Sequence, residues 1–227
     1  MSRTVKDPDE RRDEILTTSQ RLFYMKGYTK TSIRDIIDSI GIAKGTFYHY
    51  FKSKDELLEE MVEKLLQESA QLMIAATSDP EMAAIPKLLQ LYRVVGRWKT
   101  AERTQIMWIF NALYRDENIL LMHKMRRRGV ETANPIVSRI IEQGIEEGVF
   151  DVEMVEVSAE IFMQTSQAFS ESFGYILRHT EQYANPAQAV KDKKAAYEHA
   201  MERILGAPKG SLPLFDSALI NQWFESN

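Results

Sequence analysis

Residues 31–51, T-S-I-R-D-I-I-D-S-I-G-I-A-K-G-T-F-Y-H-Y-F, constrain the fold more than any other stretch of the chain. Ile33, Ile36, Ile37 and Ile40 recur at i, i+3, i+4 and i+7, which puts them on one buried face of a short helix. Thr31 or Ser32 can cap its start. Gly41 permits a sharp turn with positive φ, and Ile42 is the apolar plug of that turn. A second short helix is predicted from about Ala43 to Tyr50, with Phe47 and Phe51 turned inward. Two helices joined by one tight turn leave an outward set that is basic, hydroxyl-bearing and aromatic. It comprises Thr31, Ser32 and Arg34 at the first helix, then Lys44, Gly45, Thr46, Tyr48 and His49 at the second. Lys52 and Lys54 follow at once.

Each outward residue has chemistry suited to a nucleic-acid duplex. Hydroxyls and helix-start amides bond phosphate oxygens, and lysines release counterions. Arg34 has the reach for phosphate or guanine. Gly45 leaves room for close backbone approach, Thr46 can touch a thymine methyl, and Tyr48 and His49 can contact phosphate or base edges. Charge is distributed to match. Residues 1–54 carry 11 Lys and Arg against 7 Asp and Glu, whereas the remainder carries 18 against 26, within an overall charge of −4. A basic head on an acidic body implies that only the head meets phosphate.

Helical periodicity runs nearly throughout, without an alternating strand pattern. A first helix begins near Pro8, with Asp7 as cap and Asp9 and Glu10 facing the helix dipole. Gly27 is placed to end it in a left-handed conformation. Ser53 and Glu56 form an S-x-x-E capping box opening a long helix to about Ala76, about 30 Å or more in length. Further helices are predicted near 83–97, 102–114, 117–147, 153–179 and 187–205, with a kink or break near Pro135. Residues 206–213 read as a linker and Leu214 to Phe224 as a last amphipathic helix. The expectation is an all-α protein of about nine or ten helices. Residues 1–54 form a three-helix DNA-binding domain, 54–76 a connector, and 55–227 a larger helical domain.

The segment from Thr31 through T-F-Y-H-Y-F-K-S-K-D-E-L resembles the helix-turn-helix signature of the TetR family of transcriptional regulators, roughly T-[TS]-[VI]-R-D-I-A…-G-V-[SA]-x-G-[TS]-x-Y-x-[HY]-F-x-[SN]-K-[ED]-x-L. The resemblance covers about residues 9–66. Ile37 stands where the family commonly has a small alanine and Ile42 where it has valine, neither on the outward face. The resemblance implies a homodimer whose last two long helices, here 153–179 and 187–205, pair with the partner's. It also implies a small-molecule pocket in the larger domain, whose filling alters the separation of the two heads and usually releases the operator. On that reading the protein is a one-component regulator, a repressor, whose partners are double-stranded operator DNA, a second copy of itself and a small, largely apolar effector.

Helical stripes nominate Ile161, Thr165 and Phe173, with Ala196, Ala200 and Ile204, for the dimer interface. Periodicity reports burial and not what covers it, so an intrachain core fits the same stripes. Pocket candidates are the large residues of the body: Tyr92, Trp98, Trp108, Phe110, Tyr114, Phe162, Met163 and Phe169. Ordinary core packing is the competing account. The run Arg126-Arg127-Arg128 can pair with Glu102 or the acidic body, bind an anion, or stay solvated. Two other readings are a DNA-binding regulator without an effector, and a small-molecule-binding protein with a vestigial head.

No catalytic motif appears. The histidines (His49, His123, His179, His199) are scattered, with no H-E-x-x-H, G-x-S-x-G or Gly-rich phosphate loop. Cysteine is absent, which excludes disulfides and thiolate metal sites. No enzyme activity, metal or cofactor is therefore expected. With no apolar leader and no long apolar run, the expected setting is the cytoplasm, away from membranes.

Overall fold

The structure, a computed structural model, describes residues 7–224. All regular structure among them is helical: α1 (Pro8–Lys26), α2 (Ile33–Ile40), α3 (Lys44–Tyr50), α4 (Lys54–Ala76), α5 (Ala84–Ala101), α6 (Arg103–Leu113), α7 (Ile119–Glu146), α8 (Val155–Arg178), α9 (Pro186–Ile204) and α10 (Ser217–Gln222). Single 3-10 turns occupy Asp116–Asn118 and Thr180–Gln182. No described helix is long and apolar enough to cross a membrane.

Local chemistry explains the helix limits. Asp7 accepts the Asp9 amide at 2.9 Å, and Pro8 opens α1 where no amide is needed. Gly27 ends α1 with φ 82° but ψ 153°, an extended glycine conformation rather than the left-handed helical one anticipated. Ser53 caps α4 through the Glu56 amide at 3.1 Å, while the Glu56 carboxylate accepts from Lys52. Of the kink or break expected near Pro135, there is no break: the proline lies inside α7, which continues past it to Glu146. α10 begins at Ser217, later than the sequence suggests. Leu212 and Leu214 are buried in irregular chain, and the Asp216 carboxylate caps the helix at Ala218.

Two compact units make up the chain. The head comprises the residues up to Leu65 together with Thr104–Met125; the body comprises Leu66–Arg103 and the residues from Arg126 onward. Residues 104–125 therefore fold with the head, although the sequence division at residue 54 assigns them to the larger domain. Aromatic packing shows why: Phe23 of α1 lies 5.0 Å from Tyr28 and 5.8 Å from Trp108 of α6, ring centre to ring centre. An Arg12–Glu60 ion pair joins α1 to α4, and a Lys124–Glu59 pair joins α7 to α4.

The body core is built on α5, α7, α8 and α9, around Leu88, Leu91, Ile141, Phe162 and Met201. The Phe150 ring lies directly on α7. A Cβ at Gly144 would stand 2.1 Å from that ring, so only glycine fits. A second cluster stacks Phe169 on Phe215 at 4.0 Å. The chain after α9 is pinned by two buried carboxylates: Glu198 accepts the Phe215 amide at 2.8 Å, and Glu202 accepts the Leu212 amide at 3.2 Å. His199 lies 3.6 Å from Glu202, as the i, i+3 spacing allows. Among the described residues, no group of His, Cys, Asp and Glu has metal-binding arrangement.

Candidate nucleic-acid interface

The interface is built by α2, α3 and the turns beside them. Ser32 and Asp35 open α2 with a reciprocal capping box: the Asp35 amide donates to Ser32 Oγ at 3.1 Å, and the Ser32 amide donates to Asp35 Oδ2 at 2.8 Å. The Ser32 hydroxyl also donates to that carboxylate, and Lys26 stands 2.9 Å from its other oxygen. These bonds, the Ser32 hydroxyl first, hold Asp35 well below the usual carboxylate range. Gly41 then takes the left-handed conformation, φ 75° and ψ 35°, and turns the chain into α3.

Phe47 and Phe51 are fully buried and fix the rotation of α3. That rotation leaves Lys44, Gly45, Tyr48 and His49 exposed and Thr46 half-exposed. Lys44 Nζ lies 5.8 Å from the Tyr48 ring centre, so cation and aromatic share a face. His49 packs edge-on to Tyr50 at 5.0 Å. On α2, Arg34 is 89% exposed and stands 3.6 Å from Asp38. Of the isoleucines expected to be buried, only Ile36 is fully so; Ile33, Ile37 and Ile40 are half-buried.

Two nominated residues do not face outward as expected. Thr31 is fully buried, and its hydroxyl donates to the carbonyls of Gly27 at 2.9 Å and Leu22 at 3.2 Å. It closes the end of α1 rather than presenting a hydroxyl to solvent. Lys54 is half-buried over the Tyr28 ring and donates to the Tyr28 carbonyl at 2.8 Å and the Thr31 carbonyl at 3.2 Å. Burial pushes its pKa down. Tyr28 donates to Asp55, and burial together with that carboxylate pushes the phenol well above its usual range. Sequence reasoning also passed over Arg21, whose guanidinium donates to Ser39 at 3.1 Å on the exposed side of α1 and α2. It also passed over the Ser32–Asp35 box, although S-x-x-D is visible in the sequence.

The other nominated residues are scattered. Trp108, Phe110 and Tyr114 fold with the head, whereas Tyr92, Phe162, Met163 and Phe169 fold with the body. Tyr92, Phe162 and Met163 belong to the body's main core, while Trp98 is half-buried on α5. Phe173 is half-buried and packs within its own chain against Phe169, Trp223 and Phe224. Ile161 is 46% exposed, Ala196 and Ala200 are exposed, and Thr165 and Ile204 are half-exposed. Arg126 pairs with Glu171 and Arg127 with Glu131, rather than with Glu102.

A half-buried helix ended by a glycine turn, followed by a helix exposing lysine and tyrosine, is the arrangement of a helix-turn-helix DNA-binding protein. Residues 15–61 match the sequence profile of bacterial regulatory proteins of the tetR family. The chain is 31% identical over 164 residues to the HTH-type transcriptional repressor KstR2 of Mycolicibacterium smegmatis, a match covering 67% of this chain and 75% of that protein. The chain belongs to the TetR family of transcriptional regulators. The crystal structure of a TetR-family regulator from Syntrophomonas wolfei, 25% identical, aligns over 86% of this chain and 96% of that one with a TM-score of 0.58. The structure of another from Pectobacterium atrosepticum, 20% identical, covers 90% and 100% with a TM-score of 0.64, a likeness of fold.

Proposed function

We propose that the protein is a repressor that binds a pseudo-palindromic operator as a homodimer and leaves it when a small molecule occupies the body. The observation that carries the DNA role is the exposed Lys44–Tyr48 face of α3, held in place by buried Phe47 and Phe51. That face supplies positive charge for phosphate and an aromatic edge on a helix suited to the major groove. Ser32, Arg34, Gly45, Thr46 and His49 flank it. Thr31 and Lys54 act behind it by fixing the turn between α1 and α2.

The dimer reading is supported by apolar residues left exposed on α8 and α9: Val157, Ile161, Ala196 and Ala200. Heads of a dimer reading one face of DNA stand about 34–36 Å apart. An effector releases them only by binding more tightly to a state with another spacing. The direct test selects binding sites from random duplex DNA with the full-length protein and measures affinity across a salt series. An inverted-repeat site bound by wild type and lost with Tyr48→Ala, at unchanged helical content, supports the proposal. Equal binding by the Tyr48→Ala variant sinks the assigned orientation of α3.

A further inference from the structure

A cavity of about 240 Å³ opens in the body among the end of α4, the start of α5 and the second half of α7, with Ile74, Ile136 and Ile140 in its wall. Lys87 lines it and is only 9% exposed. Its ammonium donates to Gln143 Oε1 at 2.7 Å, a neutral acceptor. The orientation of that amide is fixed, because its nitrogen donates to the Met82 carbonyl at 2.9 Å and to Glu147. Glu147 is itself engaged at the start of α5, accepting the Ala84 amide at 2.9 Å. Among the described residues, no carboxylate stands within ion-pair distance of Lys87. Arg139 lines the same cavity, exposed and without an ion pair there.

A buried ammonium facing only a neutral amide is costly, since burial of charge is tolerated when a counter-charge is supplied. Departures from that rule concentrate at functional sites, where a ligand completes the arrangement. The two hydroxyls in the wall have spent their protons: Thr77 donates to the Met73 carbonyl at 2.9 Å and Ser78 to the Ala75 carbonyl at 3.0 Å. The cavity thus offers two cations and an isoleucine wall, but few further donors. That set suits a planar carboxylate on a hydrocarbon better than a phosphate, which needs donors on several sides.

We infer that this cavity binds a small organic acid, its carboxylate held by Lys87 and Arg139 and its short hydrocarbon portion packed on Ile74, Ile136 and Ile140. The site deepens the operator-release reading by naming the class of effector, and it rests on that reading only for the step from binding to release. The volume lies below that of pockets for drug-sized ligands, which limits the occupant to a small acid.

The experiment is calorimetric titration of the full-length protein with hexanoate, hexanol and inorganic phosphate, each to about 10 mM, a range that captures millimolar affinity. Hexanoate is expected to bind at least tenfold more tightly than hexanol or phosphate. Lys87→Met and Arg139→Gln are each expected to weaken hexanoate about tenfold or more. If Lys87→Met fails to fold, exposed Arg139→Gln and charge-preserving Lys87→Arg serve in its place. Hexanoate affinity unchanged in the charge-removing variants, or tighter binding of phosphate, overturns the proposal. The same titration is run on the operator complex. Hexanoate bound without release leaves this site standing and counts against the effector reading. Release by another compound, with no hexanoate binding, does the reverse.

Discussion

Lys44 and Lys54 look alike in the sequence, yet their surroundings assign them different work. Lys44 is exposed beside Tyr48, whereas Lys54 is half-buried on two backbone carbonyls. Lys44→Ala is therefore expected to weaken operator binding and reduce its salt slope by about one unit, with the melting temperature unchanged. Lys54→Ala is expected to cost about 1–2 kcal/mol of stability as well, since its bonds come from a charged donor. Calorimetric melts beside binding isotherms at several salt concentrations separate the two, and an unshifted melt for Lys54→Ala rules out its inward role. Asp35 adds a pH dependence. Its folded pKa is depressed, so its stabilising effect is complete above the unfolded value of about 4 and is lost as pH falls from there. Melts from about pH 6 to about pH 2 should show a shallower acid decline for Asp35→Asn than for wild type.

Among the elements, helix limits and turns were legible because they are set by neighbours in the chain. Asp7 caps α1, Gly41 adopts the left-handed turn, and α3 begins at Lys44 with Ala43 as its cap residue, close to the predicted start. The roles of Thr31 and Lys54 were not legible, because their partners are carbonyls brought near only by the fold. The same holds for α6: its stripe shows that it is buried, but only the Phe23–Trp108 contact shows that it belongs to the head. Gly144 is a similar case, since nothing near it in sequence announces the Phe150 ring. Gly144→Ala is expected to destabilise the body by about 1–3 kcal/mol through overpacking. Adding Phe150→Ala should then give a double variant less destabilised than the two single losses combined, because the residues share one space. Denaturant unfolding of the four proteins checks this, and strict additivity rules out the contact.

For the whole molecule, Val157 and Ile161 on α8 and Ala196 and Ala200 on α9 are apolar surface that one chain does not cover. Sedimentation at micromolar concentration is expected to show a dimer. Ile161→Glu, which places charge on that face, is expected to shift it toward monomer and weaken operator binding together. A variant that stays dimeric with unchanged affinity would place the interface elsewhere.

The head's positive charge is also less evenly available than a residue count suggests. Arg12 and Lys26 are paired, Arg34 stands beside Asp38, and Lys54 faces carbonyls. Lys30, Lys44 and Lys52 remain exposed without an ion pair among the described residues. The unpaired charge thus lies around the two helices of the turn motif: Lys30 ahead of α2, Lys44 at the start of α3 and Lys52 just past its end. Charge so placed acts on the rate of encounter. Raising ionic strength should slow arrival at the operator steeply while changing the rate of departure much less, a difference readable by stopped-flow mixing.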